Sequence, residues 1–150
     1  MNILVDAQDN WLLQKYHWYI SSNGYVVAQE TGKTHKTRKK LYLQRLIMNP
    51  PEGKQVDHIN LNKLDNRRIN LRVATESQNK MNRKAQKNNK LGYKDISIQR
   101  VKYKNKIHEY YVITIHKKEK RYRWYSKNLE EAVNIRNQKI KELHGVFARI

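Results

Sequence analysis

The chain has no cysteine, one phenylalanine, two prolines and five glycines in 150 residues. The missing cysteines exclude disulfides and every thiolate metal site. Any bound ion must therefore be held by histidine nitrogen or by oxygen, a donor set that suits hard divalent cations. Acidic side chains are scarce too: 13 Asp and Glu stand against 32 Lys and Arg, which leaves a formal net charge of +19. Such a surplus calls for a polyanionic partner, nucleic acid before an anionic membrane surface. No apolar run approaches the roughly 20 residues that span a bilayer. Met1–Asn10 carries Asp6 and Asp9, with no basic start and no long apolar stretch, so no secretory leader is read there and a cytoplasmic setting is expected. Charge alone does not separate a DNA-binding protein from a basic RNA-binding one of the ribosomal kind.

The length suits one domain or two small ones. Met1–Pro51 reads as short strands and turns. Asn2–Val5 is a brief apolar run, and Asp9 is expected to cap a short helix through Trp11, Leu12, Leu13 and Tyr16. Asn23-Gly24 lies between Trp18–Ile20 and Tyr25–Ala28 and predicts a hairpin. Lys80–Lys90 contains Lys80, Arg83, Lys84, Lys87 and Lys90 with almost nothing apolar, a helix tail or basic linker suited to DNA phosphates. After Gly92, Ile96–Gln99, Tyr110–His116 and Arg121–Tyr125 alternate like strands. Asn128–His144 then has helical spacing, with Leu129, Ala132, Val133, Ile140 and Leu143 near one face. Asn128 with Glu131 resembles a capping box, and Gly145 suits the stop.

The stretch Val56–Asn79, VDHINLNKLDNRRINLRVATESQN, is crowded with Asp, His, Asn and Arg. Lys54–Ile59 reads as a strand ending in Asp57-His58, and Asn60–Arg68 as a polar loop. Asn70–Ala74 reads as a second strand, with Leu71 and Val73 toward the core. Thr75-Glu76-Ser77-Gln78 has the pattern of a capping box that opens a helix holding Asn79. Strand, loop, strand and helix could bring Asp57, His58, Asn70 and Asn79 together. Phosphodiester hydrolysis needs such a set: a neutral histidine near pH 7 to deprotonate water, and a divalent ion, held by carboxylate and amide oxygens, to offset charge.

This pattern resembles the HNH nucleases with a ββα-metal fold, of the phage and intron homing type. The resemblance rests on Asp57-His58, then Asn70 twelve positions after His58, then Asn79 nine further on. The flanking words Arg45-Leu46-Ile47-Met48-Asn49-Pro50-Pro51-Glu52-Gly53 and Leu64-Asp65-Asn66-Arg67-Arg68 share it. It implies that Asp57 and Asn79 bind Mg²⁺ or Mn²⁺, that His58 is the general base, and that Asn70 uses its side-chain oxygen to orient the His58 ring. It also implies double-stranded DNA as partner and a gene carried by a phage or other mobile element in a bacterial cell. Arg67, Arg68, Arg72, Lys80, Arg83 and Lys84 are the expected DNA contacts of this half. The sequence departs from the pattern at Asn79, where many relatives carry His, at Gln44, where His is frequent, and at Leu61, where Gly is common.

Gly92–Ile150 resembles the ethylene-response-factor-type DNA-binding domain. Gly92-Tyr93, the three strands, Leu129-Glu130-Glu131-Ala132 and His144-Gly145-Val146-Phe147-Ala148-Arg149 carry that likeness. It implies a three-stranded sheet in the DNA major groove with a helix behind it. Alternation then turns Tyr111, Ile113 and Ile115 toward the helix, and Thr114, His116, Arg121 and Arg123 toward DNA with Ser97 and Gln99 of the first strand. Arg100, the one arginine of that strand, is also counted among the expected DNA contacts. His17, His35, His108 and His144 have no metal partners by spacing.

The expected protein is α+β: a nuclease module over 1–85, a basic linker over 86–91 and a DNA-recognition module over 92–150. One catalytic centre per chain implies nicking by a monomer, whereas a double-strand cut needs a dimer or two nicks. The rivals are a non-catalytic DNA-binding protein derived from an HNH nuclease, and a structural RNA-binding protein.

Overall fold

A computed structural model describes residues 2–30, 39–85 and 88–149. His35, and Gln86 and Lys87 of the expected linker, lie outside the described residues. The architecture is the expected α+β class: small antiparallel sheets with short helices, then a three-stranded antiparallel sheet packed on one helix. The chain divides into two compact units, Met1–Asn79 and Lys80–Ile150.

In the first unit, β1 (Tyr19–Ile20), β2 (Val26–Gln29) and β3 (Lys40–Tyr42) form one antiparallel sheet in that order. The β1–β2 turn falls at Asn23-Gly24, where Gly24 takes φ +82°, a left-handed conformation that glycine adopts without a Cβ clash. Helix α1 (Asn10–Lys15) precedes this sheet and α2 (Leu43–Met48) follows it. Then β4 (Gln55–His58) pairs antiparallel with β5 (Leu71–Ala74), in register Val56 to Val73, Asp57 to Arg72 and His58 to Leu71. Helix α3 (Glu76–Met81) closes the strand–loop–strand–helix unit. The core joins Leu12, Val26, Leu43, Ile47, Val56 and Leu71, so β4 and β5 are anchored by residues next to the chemistry-bearing ones.

Two local expectations give way to packing. Asp9 flanks α1, but its side chain makes no capping bond. Its oxygens instead receive Arg68 Nε and Nη2, both at 2.8 Å. A bidentate charged pair outweighs one backbone amide bond, and the carboxylate is consumed by tertiary structure. Val73 was expected to face the core beside Leu71, yet it is 36 % exposed against 4 % for Leu71. The two share a face by alternation, but the apolar core closes over Leu71 and stops short of Val73.

In the second unit β6 (Ile96–Tyr103), β7 (Lys106–Lys117) and β8 (Lys120–Ser126) form an antiparallel sheet in chain order, backed by α4 (Leu129–His144). Its core holds Ile96, Ile113, Ile115, Ala132 and Ile140, with Tyr111, Trp124, Val133 and Leu143 around them. The α4 cap is a relayed box. Asn128 Oδ1 accepts the Glu130 and Glu131 N–H groups. Glu131 does not close the box on Asn128 directly; its carboxylate accepts the Ser126 hydroxyl, and Ser126 Oγ accepts Asn128 N–H.

Candidate functional site

The site begins at the end of β4. Asp57 and His58 are neighbours on opposite faces of the strand, and each is only 4 % exposed. Beyond them, residues 59–70 form a loop tied almost entirely by its own amides. Asn70 O accepts Ile59 N–H, Asn70 Oδ1 accepts Asn60 N–H at 2.9 Å, and Asn70 Nδ2 donates to Asp65 O at 2.7 Å. Asn60 Nδ2 donates to Asp65 Oδ2, and the Asn60 and Asn62 oxygens cap the amides of Asn62 and Leu64. The N-terminal segment is laced into the same loop at Leu4, since Leu4 N–H reaches Leu64 O and Asn66 N–H reaches Leu4 O. Leu61 sits in this mesh at φ +65°, a left-handed position that costs a leucine and suits the glycine found in the resembled pattern.

The His58 ring is met by Asn66, not by the predicted Asn70. Nε2 lies 3.2 Å from Asn66 Oδ1, and Asn66 is fully buried. Asn66 Nδ2 donates to Lys63 O, which fixes the amide so that its oxygen faces the ring. A neutral imidazole held this way carries its proton on Nε2 and its basic lone pair on Nδ1. The correction for Asn70 is that its side chain is used to brace the loop. Tyr25 flanks His58, with ring centroids 6.1 Å apart, and Lys63 Nζ stands 4.1 Å over the Tyr25 ring. Burial pushes the His58 pKa below its ordinary 6.5; the Asn66 bond and the Asp57 charge oppose that, and Lys63 adds to it. His58 is therefore neutral at pH 7.

On the other face of β4, Asp57 Oδ2 receives Arg72 Nε at 2.8 Å and Nη2 at 2.7 Å. Two residues back on the same face, Gln55 Oε1 accepts Asn79 Nδ2 at 2.6 Å. That bond decides the amide's orientation, since with its nitrogen committed to Gln55 the oxygen is the end Asn79 has to offer. The capping box that positions Asn79 is complete: Thr75 Oγ1 accepts Gln78 N–H and Gln78 Oε1 accepts Thr75 N–H. Among the described residues no three His, Cys, Asp or Glu side chains cluster to hold a metal. The carboxylate of Asp57 and the amide oxygen of Asn79 are the hard donors that could hold an ion such as Mg²⁺ or Mn²⁺ here. Gln55 and Asn66 are the residues that sequence reasoning missed. Period-two spacing from Asp57 could have found Gln55. No periodic signal marks Asn66, a loop residue buried by tertiary contacts.

Asp65 holds the loop electrostatically. Arg67 grips it with Nε and Nη2, both at 2.8 Å. That pairing holds the carboxyl at about 2, below the ordinary 3.8. Because the folded value is the lower one, the ionised group stabilises the fold above about pH 4 and that contribution is lost as pH falls toward about 2. Asp65→Asn should remove this slope. In urea titrations at about pH 5 and about pH 2.5, the wild type is expected to lose up to about 2 kcal/mol more than the variant. Equal losses would show that Asp65 is not the acid-sensitive group.

The expected DNA contacts divide three ways. Arg67, Arg68 and Arg72 are each already bound to a carboxylate, on Asp65, Asp9 and Asp57 respectively, although Arg67 and Arg68 keep nearly half their side chains exposed. Lys80, Arg83 and Lys84 are exposed. In the second unit, Ser97 pairs with Val112, Thr114 with Arg123 and His116 with Arg121, and these residues share one sheet face with Gln99. Arg100 does not belong to it: alternation turns it to the helix side, where Nε binds Glu109 at 2.8 Å. Among the described residues, no helix is long and apolar enough to cross a membrane.

The HNH endonuclease family model matches residues 49–81, which contain Asp57, His58, Asn70 and Asn79. An uncharacterized HNH endonuclease of Acanthamoeba polyphaga mimivirus is 36 % identical over 147 residues, 93 % of this chain and 70 % of that protein. Protein 3.8 of Escherichia phage T7 is 34 % identical over 99 residues, 66 % of this chain and 77 % of that protein. No solved structure matches. The chain belongs to the HNH endonuclease family. Nucleases of this family act on DNA and generally depend on a divalent metal.

Proposed function

We propose that this protein is a metal-dependent DNA endonuclease of the homing type that nicks double-stranded DNA, encoded by a phage or other mobile element. The observation that carries the reading is Asp57 and His58 buried side by side at the end of β4, with Asn79 bonded to Gln55; burial also draws the His58 pKa down, which favours the neutral ring. Asp57 and Asn79 would hold Mg²⁺ or Mn²⁺. When bound, the ion supplies Lewis-acid stabilisation of the charge that develops on phosphate and on the leaving 3′-oxygen. His58, its ring held by Asn66, takes a proton from the attacking water. Asn70 keeps the loop beyond β4 in the shape that seats Asn66 against the ring.

The second unit is proposed as the DNA reader, in the manner of the ethylene-response-factor-type domain it resembles. Supporting this is the sheet face that carries Ser97, Gln99, Thr114, His116, Arg121 and Arg123 away from the α4 core. The test is incubation of supercoiled plasmid with purified protein, with Mg²⁺ or Mn²⁺ and with chelator. Nicked circles that accumulate before linear product, only with metal, are expected. Tight binding without metal-dependent cleavage would overturn the enzymatic reading in favour of a DNA-binding protein derived from a nuclease.

A further inference from the structure

The buried positions of α4 recur every four residues, at Ala132, Arg136 and Ile140. The outer two are apolar core, and the middle one is an arginine only 4 % exposed. A guanidinium that far from water requires a well-paired anion. The carboxylate beside it does not satisfy it: Arg136 Nη2 stands 3.8 Å from Asp95 Oδ2, beyond hydrogen-bonding range. Arg136 Nη1 donates to Asn137 Oδ1 at 2.9 Å, while Arg136 Nε and Asp95 Oδ2 are buried with no hydrogen-bond partner among the described residues.

Arg136 lines a cavity of about 480 Å³ within the second unit, together with Arg83, Lys84, Tyr93, Lys94 and Arg149. Five cationic side chains thus converge where Asp95 is the neighbouring acid. They strain one another. Burial, with Arg136 and Arg83 nearby, pulls the Lys94 ammonium below its usual value against the opposing pull of Asp95. Burial and Arg149 do the same to Arg136. Lys94 is also fixed in place, donating to Lys80 O at 3.1 Å and Met81 O at 2.9 Å. A cluster of like charges with Arg136 and Lys94 desolvated and Lys94 held in place is stabilised by an anion that accepts several N–H groups at once. Phosphate does so with planar guanidinium groups in particular. The volume exceeds a lone ion and accommodates a phosphodiester with its adjoining sugars.

We propose that this cavity is a phosphate-binding site that anchors one backbone phosphodiester of a nucleic-acid strand. It lies among Arg83, Lys84, Tyr93, Lys94, Arg149 and the α4 arginine, distinct from the sheet face assigned to base reading. The choice of a strand rests on the nuclease reading; the phosphate chemistry does not.

The test uses the full chain without divalent metal, so failure of catalysis does not affect it. Thermal unfolding is followed with inorganic phosphate, and duplex binding is measured at several salt concentrations. The proteins are the wild type, Arg136→Gln, Arg149→Gln, Arg83→Gln and the control Lys141→Gln, an exposed position of α4 outside the cavity. Phosphate should raise the wild-type and control melting temperatures and lose that effect in the three cavity variants. The variants should also lower the salt slope of duplex binding by about one unit relative to wild type. If Arg136→Gln fails to fold, the rim variants Arg149→Gln and Arg83→Gln carry the comparison. Loss of phosphate protection with unchanged duplex affinity and slope would overturn the strand in favour of a free phosphate compound. No phosphate effect on the wild type, with cavity and control variants alike on DNA, would overturn the site and leave Arg136 a structural partner of Asp95.

Discussion

Replacing His58 by alanine is expected to slow plasmid nicking by about 10²- to 10⁴-fold, the usual worth of a positioned general base. Duplex affinity should be nearly unchanged, because the side chain is 4 % exposed and is not part of the basic surface. Nicking at the wild-type rate would remove His58 from the mechanism. The histidine's setting gives a finer readout. Its pKa is lowered from 6.5, so the acid limb of kcat/KM should fall below that value in the wild type. The Asn66 oxygen favours the charged ring, so Asn66→Ala should move the limb further down while the rate falls through lost orientation. Asn66→Asp puts a negative charge at the same place and should move it up. A merely structural Asn66 would change rate or stability and leave the limb where it was.

Asp57→Ala is expected to reduce metal affinity and activity together. Removing groups behind a metal's direct ligands typically costs 10- to 100-fold in affinity, and loss of a direct ligand should cost at least about that. Calorimetric titration with Ca²⁺ in the presence of duplex separates ion binding from turnover. Gln55→Leu should show a smaller loss, because Asn79 keeps its place in α3 and loses only the bond that turns its amide. Unchanged ion affinity in Asp57→Ala would take Asp57 off the ligand set, and unchanged affinity in Gln55→Leu would leave Asn79 oriented by something else.

What the sequence revealed was local. The Asn23-Gly24 hairpin, the strand ending at His58, the Thr75–Gln78 capping box and the alternation of β7 and β8 each follow from neighbouring residues, and the structure contains them. The misreadings come from the tertiary surroundings of single residues, which local pattern does not carry. Asp9 is taken by Arg68, 59 positions away. Val73 keeps strand alternation but lies where the core ends. Arg100 follows the parity of its strand to Glu109, nine positions on and across the sheet. The candidate site divides in the same way. Asp57, His58, Asn70 and Asn79 are a spaced pattern, whereas Asn66 is identified by a buried contact inside an irregular loop.

The pairing of Arg72 with Asp57 bears on how an ion would be taken up at the proposed site. A buried carboxylate with no counter-charge would make folding wait for an ion. Here the arginine across the hairpin is the resident cation, so the first unit completes itself from its own residues. An ion held by Asp57, as proposed, would have to share or displace the guanidinium already seated there. On the proposed reading, loading would be an exchange of one cation for another, and a chelator that strips the ion would return the carboxylate to its internal partner.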